Sequence, residues 1–125
     1  MDVVVIGLGS MGKRRIRLLG ERNDVRHIYG VDAREDRRKE AEVSLHVQTY
    51  WCLDEVISEH GDVVCAFVCT SPLTHKDLIN MCLKSQLHVF TEINLVRDGY
   101  QENIELAREN GKILFLSSTF LYRKE

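Results

Sequence analysis

Val3-Val4-Val5-Ile6-Gly7-Leu8-Gly9-Ser10-Met11-Gly12 stands almost at the start of the 125-residue chain, and its reading decides the fold. Four apolar residues run into a glycine-rich turn, and a helical pattern follows it. Such a run predicts a buried strand, a tight turn and the first turn of a helix. Gly7 permits the sharp exit from the strand. Gly9 presents no side chain to an approaching phosphate, and Gly12 lets the helix lie close against the strand. The free N–H groups of the first helical turn, with the helix dipole behind them, favour an anion there.

A glycine turn of this kind also occurs in α/β proteins that bind no nucleotide. Here the context narrows the reading. Asp32 lies 20 positions beyond Gly12 and ends a second apolar run, Ile28-Tyr29-Gly30-Val31. A carboxylate at the end of a second strand accepts hydrogen bonds from the adenosine ribose. Glycine loop and acid together predict a dinucleotide site. Arg34, two residues on, stands where an arginine can meet the 2′-phosphate of NADP, whereas the Asp32 charge repels that phosphate. The balance leans to NAD, with NADP as the alternative.

Outward from this core the chain alternates regularly. Met11 to about Glu21 reads as a helix packed through Met11, Ile16, Leu18 and Leu19. Its Lys13, Arg14, Arg15 and Arg17 read as a solvated face, although a basic residue near the phosphate end could assist the dipole. Residues 26–31 read as the second strand, and Arg34 to Val43 as a surface helix laced with opposite charges. Val47 to Tyr50 is a short third strand. Leu53 to His60 is a helix with Leu53, Val56 and Ile57 on one side. Val63 to Cys69 is a fourth strand whose unbroken apolarity implies burial on both faces. Leu73 to Lys84 is a helix with Leu78, Ile79, Met81, Cys82 and Leu83 toward the core. His88 to Thr91 is a fifth strand. Tyr100 to Asn110 is a helix with Ile104, Leu106 and Ala107 inward, closed by Gly111. Lys112 to Ser117 is a sixth strand.

Helices between successive strands make every link a crossover. The expected architecture is therefore α/β, a doubly wound parallel sheet of about six strands in the order 3-2-1-4-5-6. Ligands bind such sheets at the C-terminal strand ends, beside the switch between the first and fourth strands. The predicted rim comprises Gly7, Leu8, Gly9, Ser10, Met11, Gly12, Asp32, Cys69, Thr70 and Ser71, with Thr91 to Asn94 beyond.

Composition sets outer bounds. The length suits one domain, and 44% hydrophobic with 29% charged residues suits an ordinary folded core. A net charge of −2 gives no argument for a nucleic-acid partner. No apolar run approaches the roughly 20 residues that span a bilayer, and no signal-peptide layout is present, so a cytoplasmic location is expected and no membrane partner. Cys52, Cys65, Cys69 and Cys82 form no CxxC and lack zinc-spaced histidines, so no metal site is expected. They read as buried, reduced thiols, with Cys69 as a wall of the cofactor site. The glycine spacing argues against a methyltransferase, and no flavin-binding segment accompanies Asp32.

GLGSMG at 7–12, CTSPLTH at 69–75 and HVFTEINL at 88–95 together resemble the glucose–fructose oxidoreductase/inositol dehydrogenase (Gfo/Idh/MocA) family, in its N-terminal Rossmann domain. The second segment is similar to the family's Thr-x-Pro step with a histidine three residues on. The third is similar to its HV-x-x-E-K-P-L. The resemblance implies NAD(P)-dependent hydride transfer to or from a sugar, cyclitol or related polyol. It adds His75 and Glu92 to the cofactor side. It also implies further catalytic groups on a C-terminal domain, through which family members form oligomers. Residues 1–117 are then the nucleotide domain, and 118–125 begin the connection to a substrate domain that this chain lacks. By itself the chain is expected to be inactive.

One departure matters. Glu92-Ile93-Asn94 stands where the family has E-K-P. Ile93 takes the lysine's place and has no proton to exchange. Glu92 and Asn94 are weak catalytic candidates, and Asn94 donates and accepts hydrogen bonds but is no acid or base at neutral pH. A module that binds a dinucleotide without catalysis is the alternative.

Overall fold

The computed structural model describes residues 1–70, 72–92 and 100–117, with the side chains of 72–76, 92, 100–104 and 114–117 left aside. In chain order the elements are β1 (Asp2–Ile6), α1 (Ser10–Gly20), β2 (His27–Val31), α2 (Glu35–Leu45), β3 (Gln48–Tyr50), α3 (Leu53–Glu59), β4 (Val63–Val68), α4 (Pro72–Lys84), β5 (His88–Glu92), α5 (Tyr100–Glu109) and β6 (Leu114–Ser117). Among the described residues six strands form one sheet in the order β3-β2-β1-β4-β5-β6. All neighbouring strands are parallel. This is the doubly wound order expected from the alternation of elements.

β1 lies at the centre and is buried throughout, because helices cover both of its faces. Its side chains alternate between two cores. Val4 and Ile6 join Leu53, Val56, Ile79, Cys82, Leu83 and Ala107 under α3, α4 and α5. Val3 and Val5 join Ile16, Leu19 and Ala41 under α1 and α2. Asp2, at the start of β1, is also buried. Burial raises its carboxyl, but hydrogen bonds and charge from Arg26 and His27 outweigh that and hold it below the usual range.

Several expected core residues lie elsewhere. α1 packs through Gly12, Ile16 and Leu19, while Met11 and Leu18 are exposed. Those three positions follow the helical period along one stripe, and Met11 and Leu18 fall off it. On α4, Met81 is likewise exposed, and Ile79, Cys82 and Leu83 carry the packing. β4 is not buried along its whole length. Asp2 pairs with Val63 and Val3 with Cys65, so Val64 is an extra residue that bulges outward, exposed.

The thiols differ from expectation too. Cys52 is exposed, Cys65 and Cys69 are half-buried, and only Cys82 is buried. Burial pushes the Cys65 thiol up to about 11 and Cys82 up to about 12, so both are inert at neutral pH. Among the described residues no helix is long and apolar enough to cross a membrane. Nor do any three His, Cys, Asp or Glu side chains there group as metal ligands.

Candidate functional site

The chain runs from β1 into β2 and β3 on one side, then returns to place β4 on the other. At that divergence the strand ends leave a crevice. A cleft of about 840 Å³ occupies it. Ile6, Gly7, Gly9, Ser10 and Met11 line it from β1 and α1. Asp32, Ala33 and Arg37 come from the end of β2 and α2, and Trp51, Cys52 and Leu53 from the turn after β3 and the start of α3. Cys69 and Thr70 follow β4. Arg15, Asp77, Leu78, Met81, Phe90 and Thr91 complete the wall.

The glycine loop is held by contacts that leave little freedom. The Gly7 N–H donates to the Val31 carbonyl at 2.8 Å, and the Cys69 N–H donates to the Ile6 carbonyl at 2.7 Å. Gly7 has φ +98°, and a Cβ there would come within 2.8 Å of the Cys69 carbonyl oxygen. A Cβ on Gly12 would sit 1.7 Å from the Gly7 carbonyl oxygen. Gly7 and Gly12 are thus required by the fold itself. Gly9 is different. Its φ of −75° suits any residue, and an added Cβ would meet only the Arg37 guanidinium, at 3.6 and 3.8 Å. The space beside Gly9 belongs to the cleft.

Gly9 is also the residue that caps α1. The helix has no side-chain cap and no acidic residue in its first turn. Its first orphan N–H groups therefore stand at the cleft with no acidic side chain of their own helix turn competing for them. Leu8, between the two loop glycines, turns inward and is 1% exposed. Its methyl groups rest where a Cβ on Gly30 would be, 3.0 and 3.2 Å away.

Asp32 ties the loop to β2. One carboxylate oxygen accepts the Leu8 N–H and the other the Arg34 N–H, both at 2.9 Å. The Asp32 side chain is 8% exposed, and Arg37 stands 3.8 Å from it. Arg38 donates to the Asp32 carbonyl at 2.8 Å. Each carboxylate oxygen still has acceptor capacity toward the cleft. Two vicinal hydroxyls of a ribose match that arrangement, and the bare helix end matches a diphosphate. The residues present therefore fit a dinucleotide.

The expected rim residues separate into three groups. Gly7, Gly9, Ser10, Met11, Asp32, Cys69 and Thr70 line the cleft. Leu8 and Gly12 shape it from behind, and Arg34 lies off it. The Arg34 guanidinium is tied to Asp36 by two hydrogen bonds, which with the Asp36 charge raise its pKa above the ordinary value. Ser71, Ile93 and Asn94 fall outside the described residues. His75 is in the first turn of α4, and Glu92 ends β5 opposite Ser117, with neither side chain described.

Arg37, Trp51 and Arg15 are cleft residues that were not singled out as such from the sequence. Arg37 sits within a helix that reads as uniformly charged, and only its place five residues after Asp32 marks it. Trp51 directly follows a short strand. Arg15 belongs to a basic run, but its guanidinium lies over the Phe90 and Phe67 rings, at 4.9 and 5.8 Å from their centroids. Among the described residues no carboxylate pairs with it. It is a cation held by aromatic faces at the cleft wall.

Comparison with known proteins agrees with this geometry. Residues 1–118 match the family model described as an oxidoreductase family with an NAD-binding Rossmann fold. The myo-inositol 2-dehydrogenase of Thermotoga maritima is 32% identical over 118 residues, which is 92% of this chain and 35% of that protein. GenD2 of gentamicin A biosynthesis, solved in complex with NAD, superposes with a TM-score of 0.89 at 23% identity, over 98% of this chain and 35% of that one. KijD10, a 3-ketoreductase of Actinomadura kijaniata solved with NADP and TDP-benzene, gives 0.84 at 22% identity, over all of this chain and 38% of that one. The latter two share the fold, and the chain spans about a third of the length of each relative. The match over residues 1–118 makes the chain a member of the Gfo/Idh/MocA oxidoreductases, covering their NAD-binding Rossmann domain.

Proposed function

We propose that the cleft binds NAD, with NADP as the weaker ligand, on behalf of an oxidoreductase acting on a cyclitol, sugar or similar polyol. The observation that carries this reading is Asp32, whose carboxylate is fixed by the Leu8 and Arg34 N–H groups at the edge of the glycine loop. Gly9, Ser10 and Met11 would meet the diphosphate and Asp32 the adenosine ribose. Cys69 and Thr70 would wall the path beyond. His75 and Glu92 belong to the proposed site on the family resemblance alone. When bound, the nicotinamide supplies hydride chemistry. This chain's own residues hold it, orient it and exclude water from one side.

The polyol class rests on the likeness to myo-inositol 2-dehydrogenase. In a chain of that relative's length, residues 1–117 would be the nucleotide domain and 118–125 the start of the link to a substrate domain. A second reading has one specific support. Ile93 stands at the family's lysine and can neither donate nor accept a proton. On that reading the domain senses or displays a dinucleotide without turning it over.

Titration of NADH fluorescence with the chain tests the binding on which both readings rest, and saturation below millimolar concentration is expected. No binding of NAD(H) or NADP(H) at millimolar concentration would sink both. Turnover of sugars and polyols by the longest product of the gene separates them. Asp32→Ser tests the ribose assignment. It removes a charge and one of two loop anchors, so NAD(H) affinity should fall about tenfold or more, on the scale of lost hydrogen bonds to a charged group. The ratio of NADP(H) to NAD(H) affinity should rise, because the repulsion of a 2′-phosphate is gone. An unchanged ratio would count against Asp32 as the ribose ligand.

A further inference from the structure

Trp51 is the single tryptophan of the chain, and its surface is 67% exposed. Large aromatic side chains usually bury most of their area, so an indole left this open invites a partner. Trp51 is not on an outer face. It lines the same cleft as Asp32 and Gly9. Its position is set by the sheet. The Asp32 N–H donates to the Tyr50 carbonyl at 3.2 Å, which fixes Trp51 as the next residue past the carboxylate on the β3 side. The Trp51 N–H in turn donates to a Glu55 carboxylate oxygen at 2.8 Å, anchoring the residue's backbone to α3.

Arg37 lines the same cleft beside Asp32. It stands 3.8 Å from the Asp32 carboxylate, and its guanidinium is the group that a side chain on Gly9 would meet. It therefore leans toward the β1 loop, whereas Trp51 stands toward β3. Asp32 thus shares its cleft with two planar groups, an indole and a guanidinium. Both are groups on which purine bases stack, the first by π-face contact and the second by cation–π attraction.

We propose that Trp51 is the adenine-binding residue of this cleft, presenting its indole to the base while Arg37 closes the other side. The assignment rests on the dinucleotide reading above and deepens it. Trp51 contributes to affinity for any ligand that carries the adenosine half, and nothing to the nicotinamide half. Because the chain holds no other tryptophan, the contact reports itself. Adenine nucleotides quench the Trp51 emission on stacking, and NADH adds energy transfer from the indole to the reduced nicotinamide.

The test is a set of titrations on the wild-type chain and on Trp51→Ala and Trp51→Phe, using NADH, 5′-ADP and reduced nicotinamide mononucleotide as probes. NADH is followed by its own emission and the others by calorimetry, so that loss of the indole does not remove the signal. The expected result is that Trp51→Ala weakens NADH and 5′-ADP alike by about tenfold, the scale of one base–aromatic stack. Trp51→Phe should recover most of that loss, and affinity for the mononucleotide should not move. At 67% exposure the substitution leaves the core intact, which unchanged thermal melting of the free chain would verify. NADH and 5′-ADP bound by Trp51→Ala within twofold of wild type would overturn the assignment, as would equal loss for all three probes. If the wild-type chain binds neither NADH nor 5′-ADP, the dinucleotide reading falls and this assignment with it.

Discussion

Gly9→Val is expected to abolish dinucleotide binding while leaving the domain folded. The backbone at Gly9 is already in a conformation open to valine, at φ −75°. The nearest atoms to an added Cβ belong to the half-exposed Arg37 guanidinium, which can swing aside. Folding therefore loses little. The added methyl groups would stand at the end of α1, where the orphan N–H groups must approach a diphosphate. Hydrogen bonds to a charged group are worth about 1.5–3 kcal/mol each, and more than one would be displaced. A loss of at least a hundredfold in NADH affinity follows, read by fluorescence titration, with a melting temperature within a few degrees of wild type. Retained affinity would mean that the phosphates lie elsewhere.

Gly12→Ala should do the reverse damage. Its Cβ would fall 1.7 Å from the Gly7 carbonyl oxygen, inside bonding distance of a backbone atom that cannot rotate away. The helix must lift from the strand, and Ile16 and Leu19, on the same stripe, must lift with it. Overpacking of ordinary cores costs about 1–3 kcal/mol, and a backbone clash at this distance belongs at or above the top of that range. Thermal unfolding should show a drop of roughly 10 °C or more. A melting temperature unchanged by the methyl group would contradict the helix placement. The two glycines thus separate, one required by the ligand and one by the fold.

Much of this fold is legible in the residues because its signals are local. Strand runs, glycines and the crossover rule yield the sheet order without reference to contacts. Asp32 is legible for the same reason, since its distance from the glycine loop is a property of the chain. The cleft wall is less legible. Arg37 and Arg15 look like surface charge because neighbouring charges hide them, and only their three-dimensional neighbours distinguish them. Arg34 shows the same limit. Its position suits a phosphate, but no pattern in the sequence shows that its guanidinium pairs with Asp36, two residues on. The exposed Val64 arises from a bulge in the pairing of β1 with β4, which no periodicity in one strand can reveal.

Leu8 belongs at once to the glycine loop and to the hydrophobic interior, where it lies over Gly30 and hands its N–H to Asp32. The loop therefore cannot loosen without opening the core beneath it. A hinged lid pays an ordering cost each time a ligand arrives, whereas this loop is tied into the core through Leu8. Affinity and fold stability are consequently coupled. A substitution beneath Leu8, far from any phosphate, would be felt first as weaker binding, and a bound dinucleotide would shield the whole domain from unfolding rather than the loop alone.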